Sequence, residues 1–362
     1  MTPRFHRLRV ADIRRETPDA VSIAFAVPED ARDAFGFACG QYLTLKATVD
    51  GEEVRRSYSI CSGVGETELR VAIKRVEGGL FSGFANEAIA PGDEIEVMPP
   101  MGRFGVEIRQ GNEGQSEART FVGFAAGSGI TPILSIIRTV LAAEPKSRFF
   151  LFYGNRATGS ILFREALESL KDRFLDRLSV FHVLSRETQD LSVLNGRLDG
   201  EKAALFLRTI VPASLVDHAF VCGPGEMIDA VEGALLGLGL PRERVHVERF
   251  TPSEPGRTRA ARPVSATAAP AALATVITDG IATEVPVAEG EAVLDAAIRA
   301  GLDLPYSCRG GMCCTCRAKV VDGSVDMAVN YSLEPWEVEA GFVLTCQARP
   351  TSGRVTVDFD QV

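Results

Sequence analysis

The sequence predicts three folded domains in series: a small antiparallel β-barrel, a doubly wound α/β domain and a compact α+β module. Three observations carry this expectation. Short period-two segments broken by turns fill the chain to about residue 108, and strands alternate with helices from about Arg119 to Phe250. A Pro-, Ala- and Arg-rich stretch without periodicity then precedes a cysteine-bearing end of about ninety residues.

In the first domain, expected over 1–110, Val21–Val27, Tyr42–Ala47 and Glu68–Lys74 have period-two character, and Glu94–Met98 follows the turn Pro91-Gly92-Asp93. Strands at this spacing predict a closed barrel. In the second, expected over 111–250, the apolar strand Thr120–Ala125 runs through a glycine-rich turn into a helix at Pro132–Leu141. Strand Arg148–Tyr153 precedes a helix from Leu162 to Phe174, and strand Leu178–Leu184 follows. Strand His218–Cys222 precedes a helix from Met227 to Leu238, and Val245–Phe250 closes the domain. Such alternation predicts a parallel sheet covered on both faces. Residues 251–272 are expected to be a linker. The last module, 273–362, shows a hairpin over Ala274–Val287, a helix over Glu291–Ala300 stopped by Gly301, a cysteine loop and further strands.

Composition narrows the function. With 46% hydrophobic and 24% charged residues the chain is an ordinary folded protein. A net charge of −9 argues against general nucleic-acid binding, which needs a basic surface. No apolar run approaches ~18 residues, and no apolar stretch backs the arginines of the first fifteen, so a cytoplasmic location is expected. Of eight cysteines, Cys39, Cys61 and Cys222 are scattered, while Cys308, Cys313, Cys314, Cys316 and Cys346 cluster late, a pattern that favours metal over disulfide.

Cys308, Cys313 and Cys316, followed by Cys346 after 29 intervening residues, have the C-x4-C-x2-C…C spacing of a plant-type [2Fe–2S] site. Gly310 and Gly311 let the backbone wrap closely, so that its amides reach the sulfurs. A structural zinc site would show C-x2-C pairs instead. Cys314 falls outside the spacing and is expected to be a packing thiol.

Arg56-Ser57-Tyr58-Ser59 groups a cation, an aromatic ring and a serine hydroxyl, which by themselves read as a plain barrel strand. Here the chain resembles the ferredoxin–NADP reductase superfamily, whose Arg-x-Tyr-Ser motif binds flavin. The segment Val71-Ala-Ile73-Lys74, followed by Gly78-Gly79-Leu80-Phe81-Ser82, resembles that superfamily's second flavin segment. The resemblance implies FAD on Arg56, Tyr58, Ser59, Ile73, Lys74, Gly79, Leu80 and Ser82; relatives with this domain order can carry FMN. It also implies that the last domain is a β-grasp ferredoxin.

Gly127-Ser-Gly129-Ile-Thr131-Pro132 opens a helix after the first strand of the second domain, the place for a pyrophosphate. Its G-x-G-x-x-P form is the one the superfamily uses. Cys222-Gly223-Pro224 ends the fourth strand at the edge where ligands bind such sheets. The resemblance places Cys222 and Glu248 beside the nicotinamide, with Ser59, as the catalytic set, and Phe250 near the flavin. A buried core thiol and a core aromatic are the competing readings. Arg156, Ser185 and Arg186, at the ends of the second and third strands, suit a 2′-phosphate and favour NADPH over NADH. The histidines His6, His182, His218 and His246 show no metal or general-base spacing and are read as structural.

The order flavin, nicotinamide, ferredoxin, with segments such as Tyr153-Gly-Asn-Arg156, Gly196-Arg-Leu-Asp-Gly-Glu-Lys202 and Asn330-Tyr-Ser-Leu-Glu-Pro335, resembles the reductase subunits of bacterial phenylacetyl-CoA 1,2-epoxidases. Cys314, where those carry a small residue, and the Arg/Ala-rich linker depart from the pattern. The resemblance implies an NADPH-dependent reductase that feeds single electrons to a partner di-iron oxygenase docking near the cluster loop. Another monooxygenase, demethylase or Rieske oxygenase is an alternative partner. A redox-sensing regulator is a third reading, and no basic patch supports it.

Overall fold

The computed structural model describes residues 3–109, 117–250 and 270–361. The expected boundary at 110 and most of the expected linker (251–269) lie outside the described residues. By contact density the chain divides into two compact units. One holds most of the barrel and the parallel sheet, the other the cysteine module.

The barrel consists of β1 (His6–Thr17), β2 (Ala20–Ala26), β3 (Tyr42–Val49), β4 (Glu52–Ser59), β5 (Leu69–Lys74), helix α1 (Leu80–Glu87) and β6 (Glu94–Val97). Its sheet runs β4-β3-β6-β1-β2-β5. Closure comes from the Ile60–Val71 bridge and from the Cys61 amide, which donates to the Arg70 carbonyl at 2.9 Å. Alternate positions such as Leu43, Leu45, Val71 and Ile73 point inward and are fully buried, each stabilising by roughly 1.5–3 kcal/mol. β1 was not expected: only Leu8, Val10 and Thr17 of its twelve residues are buried, and its arginines obscure the alternation.

The second sheet contains β7 (Thr120–Ala126), α2 (Ile130–Ala143), β8 (Arg148–Asn155), α3 (Arg164–Arg173) and β9 (Leu178–Leu184). It continues through α4 (Gly200–Thr209), β10 (His218–Gly223), α5 (Gly225–Gly237) and β11 (Val245–Arg249). All its pairings are parallel, in the order β11-β10-β7-β8-β9. Ile133, Ile137 and Leu167 of α2 and α3 pack on one face with Phe121 and Phe149. Phe206, Ile228 and Val231 of α4 and α5 pack on the other with Phe124 and Phe152. This is the doubly wound arrangement expected. The helix expected from Leu162 starts at Arg164, because Phe163 adopts a left-handed φ of 58° with its ring buried.

The cysteine module contains β12 (Ala272–Thr278), β13 (Ile281–Val287), α6 (Val293–Arg299), β14 (Arg317–Asp322) and β15 (Val325–Met327). α7 (Pro335–Glu339), β16 (Phe342–Leu344), β17 (Ala348–Pro350) and β18 (Arg354–Asp358) complete it. β13-β12-β18-β14-β16 form a mixed sheet, parallel only between β12 and β18. α6 buries Val293, Leu294, Ala296 and Ala297 in the module's core, the sheet-around-helix form of a β-grasp. Among the described residues, no helix is long and apolar enough to cross a membrane.

Candidate functional site

The chain reverses its winding between β7 and β10, and a ligand crevice is expected at the carboxyl ends of those strands. There Gly127–Gly129 form a single 3-10 turn leading into α2. Gly127 has φ of 54°, and a Cβ on Gly129 would lie 2.1 Å from the Cys222 carbonyl oxygen, so neither position accepts an ordinary side chain. The Ile130 amide that opens α2 donates back to the Gly127 and Ser128 carbonyls, and no side chain caps the turn ahead of it, which leaves the amides of Gly127–Gly129 for an anion. The Tyr153 hydroxyl donates to the Gly127 carbonyl at 3.0 Å and Thr131 to that of Ser128 at 2.9 Å, so the turn is held from both sides. Pro132 lies in the first turn of α2.

This turn floors a cleft of about 870 Å³, a size that suits a dinucleotide moiety. Arg156, Ser185 and Arg186 line one part of it, and Lys74, Gly223 and Phe250 line others. The loops after β8 and β9 are joined where the Arg186 amide donates to the Arg156 carbonyl at 2.7 Å. Both guanidinium side chains belong to exposed residues, available for a phosphate.

Ser59, Cys222 and Glu248 are brought together. Cys222 and Glu248 are register partners across β10 and β11, and the Ser59 hydroxyl donates to Glu248 Oε2 at 3.1 Å. Part of Glu248 still meets solvent, but burial of its carboxyl pushes it up to about 8, only partly offset by Ser59. Burial, and then the neighbouring Glu248, push the Cys222 thiol well above its ordinary range. The cluster is therefore a neutral acid, a neutral thiol and a hydroxyl at neutral pH, able to orient a ring and hold a proton.

The flavin-type residues differ in how free they are. Arg56 is exposed on β4, and its guanidinium donates to its neighbour's carbonyl at 2.8 Å. Tyr58 packs on Phe81 with ring centroids 5.6 Å apart. Gly79 precedes α1, where a Cβ would strike Ser82 Oγ at 2.6 Å. Ser82 is buried, accepting from the Val76 amide and donating to the Gly79 carbonyl, so its hydroxyl shapes the loop. Ile73 is a core residue whose carbonyl receives the Asn86 amide, while Leu80 is exposed. An uncapped glycine-led helix with the Tyr58 ring packed on its Phe81 fits a flavin diphosphate.

In the module, Cys308, Cys313, Cys316 and Cys346 converge as two pairs. Sγ of Cys313 lies 3.1 Å from that of Cys308, and Cys316 hydrogen-bonds Cys346. The Cys313 thiol holds Cys308 below its ordinary range, and Cys316 lowers Cys346. No disulfide forms, and among the described residues no three metal-binding side chains share one ion position. Two thiols per metal fit a two-iron cluster better than a single zinc. The Gly310 amide points at Cys308 Sγ, 3.4 Å away. Cys314 turns to the Ser332 carbonyl instead, at 3.4 Å, as a thiol outside the ligand set would.

Sequence reasoning missed Arg197, Asn155 and Ser160, which also line the cleft. Arg197 precedes Asp199, whose side chain caps α4 by accepting from the Lys202 amide at 2.9 Å. The Asp-Gly-Glu-Lys start was the available signal. His218 and His246 form a partly buried pair, ring nitrogens 3.0 Å apart, packed on Phe121 and Phe220, which agrees with a structural role.

Comparison with known proteins agrees with this geometry. The chain matches an oxidoreductase FAD-binding domain over residues 7–105, an oxidoreductase NAD-binding domain over 124–233 and a 2Fe-2S iron-sulfur cluster binding domain over 276–351. It is 48% identical to one of the subunits of 1,2-phenylacetyl-CoA epoxidase from Escherichia coli (strain K12), over 98% of each chain. It is 35% identical to the ferredoxin reductase component of 3-ketosteroid-9-alpha-monooxygenase from Rhodococcus rhodochrous, over 97% of this chain and 96% of that one. Phthalate dioxygenase reductase shares the fold at a TM-score of 0.59, with 24% identity and 98% of each chain covered.

Proposed function

We infer function from one premise: the chain belongs to the ferredoxin–NADP-type reductases with a C-terminal [2Fe–2S] domain, the family that includes its Escherichia coli relative from 1,2-phenylacetyl-CoA epoxidase. It is an NAD(P)H-dependent oxidoreductase that uses FAD and a [2Fe–2S] cluster to pass electrons to an oxygenase. When bound, the cofactors supply hydride transfer, conversion of an electron pair into single electrons, and one-electron relay.

Within that activity we assign the residues. Arg56, Tyr58, Ser59 and the Lys74–Ser82 segment hold the flavin, Ser82 and Ile73 by shaping its loop and strand. The Gly127–Pro132 turn holds the pyrophosphate, and Gly223 lets the nicotinamide approach. Ser59, Cys222 and Glu248 orient the reacting rings and keep a proton close to them. Cys308, Cys313, Cys316 and Cys346 ligate the cluster. Arg156, Ser185, Arg186 and Arg197 favour NADPH, because guanidinium pairs bidentately with phosphate. Two structural features support this reading. One compact unit holds the glycine-turn cleft with its Ser59–Glu248–Cys222 cluster, and the other holds four thiols in two pairs.

The partner we assign is the di-iron oxygenase of a phenylacetyl-CoA epoxidase, in cytoplasmic, aerobic phenylacetate degradation. Identity of 48% over nearly the whole chain supports it, against 35% for the steroid monooxygenase reductase. Holoprotein, NADPH, oxygen, phenylacetyl-CoA and that oxygenase complex should yield the epoxide, and omitting any one should abolish it. Reduction of cytochrome c by NADPH without epoxide would transfer the protein to another oxygenase.

A further inference from the structure

Gln347 follows Cys346 directly and is 6% exposed. Its side-chain Nε2 lies 2.8 Å from the Arg309 carbonyl oxygen and 3.7 Å from Cys346 Sγ. A carbonyl only accepts, so the atom facing Arg309 is the amide nitrogen, and the contact itself settles which way the amide is turned. That nitrogen has two hydrogens. One serves Arg309, and the other is directed toward the sulfur.

The carbonyl it holds belongs to a demanding turn. Arg309 adopts φ of 52°, and Gly311 adopts φ of 77° with the Val329 side chain already 3.0 Å from where a Cβ would stand. Between them the Gly310 amide is aimed at Cys308 Sγ. Gln347 therefore ties the strand end that carries the last cysteine to the loop that carries the first.

We propose that Gln347 is a positioning and tuning residue of the cluster site: its amide fixes the Arg309 turn and donates a hydrogen bond to the Cys346 sulfur. The proposal rests on the reading that the four cysteines hold a [2Fe–2S] cluster. Reduction adds one negative charge to the site, and a donor on a ligating sulfur stabilises the more negative state. Gln347 thus raises the tendency of the site to accept an electron.

The test uses full-length holoprotein and Gln347→Met, which keeps length and removes the donor. Iron and sulfide content are measured first, then the midpoint potential by dye-equilibrated titration followed by electron paramagnetic resonance. At the wild-type midpoint, the oxidised-to-reduced ratio of the variant should rise about tenfold, equivalent to 59 mV for one electron. In wild-type protein with 15N in its glutamine side chains, electron–nuclear double resonance of the reduced site should show a 15N coupling that Gln347→Met lacks. A fully loaded variant with unchanged midpoint overturns the tuning role. Absence of the coupling in wild type overturns the hydrogen bond, even if the variant fails to load. Wild-type protein without iron, sulfide or a reduced signal overturns the cluster reading itself, a different failure.

Discussion

Glu248 keeps a proton at neutral pH that an exposed carboxylate would have lost, because burial raises it to about 8. The sign follows from linkage. The folded state holds this proton more tightly than the unfolded chain, so the stability associated with it is complete below about pH 4.5 and is lost as pH rises through about 8. Glu248→Gln removes that dependence, and denaturant unfolding of the variant should gain on wild type steadily between those limits. Ser59→Ala removes the hydroxyl that orients the carboxyl and should slow NADPH-driven flavin reduction about tenfold in stopped flow, the effect of losing ~1.4 kcal/mol. Arg186→Ala and Arg197→Ala should each raise KM for NADPH about tenfold and leave KM for NADH nearly unchanged. Equal effects on both nucleotides would remove the 2′-phosphate assignment. At this scale the sequence showed the site unevenly. The convergence of the four late cysteines was readable from their spacing, and the meeting of Glu248 with Ser59 and Cys222 was reachable only by resemblance, since the three are distant in the chain. Arg197 and Gln347 belong to no spacing rule, and only the fold shows what they touch.

Elements were legible where a pattern was undiluted. β7 to β9 are apolar, and their expected spans agree with the structure to within two residues. β1 was hidden because its arginines extend over the barrel surface, where Arg14 pairs with Asp12 and Glu68. α4 was hidden behind a short apolar face, and its cap at Asp199 was the better clue. The junction of β7, β10 and α2 is the element on which the nicotinamide reading depends. A Cβ on Gly129 would meet backbone at 2.1 Å and 2.4 Å, with no flexible side chain to give way. Gly129→Ala should therefore destabilise the fold by about 3 kcal/mol, the upper end of overpacking costs, and weaken nucleotide binding. A urea midpoint equal to wild type would show that the turn can open without loss.

For the molecule as a whole, the three patterns of the sequence became three main sheets of distinct topology, with the β15–β17 pair as a small fourth among the described residues, because each periodicity buries its apolar face in its own way. The resemblance in motif order then found its counterpart in 48% identity over 98% of the chain. Function at this scale is a sequence of electron transfers, and it is tested by separating the two ends. Cys313→Ser should abolish cytochrome c reduction by removing a thiol we assign to the cluster, while NADPH still bleaches the flavin. The most direct measurement is an anaerobic titration of the holoprotein with NADPH, followed by visible absorbance and electron paramagnetic resonance. The account requires flavin bleaching together with the signal of a reduced [2Fe–2S] cluster. A flavin that bleaches beside a fully loaded cluster that stays oxidised would contradict it.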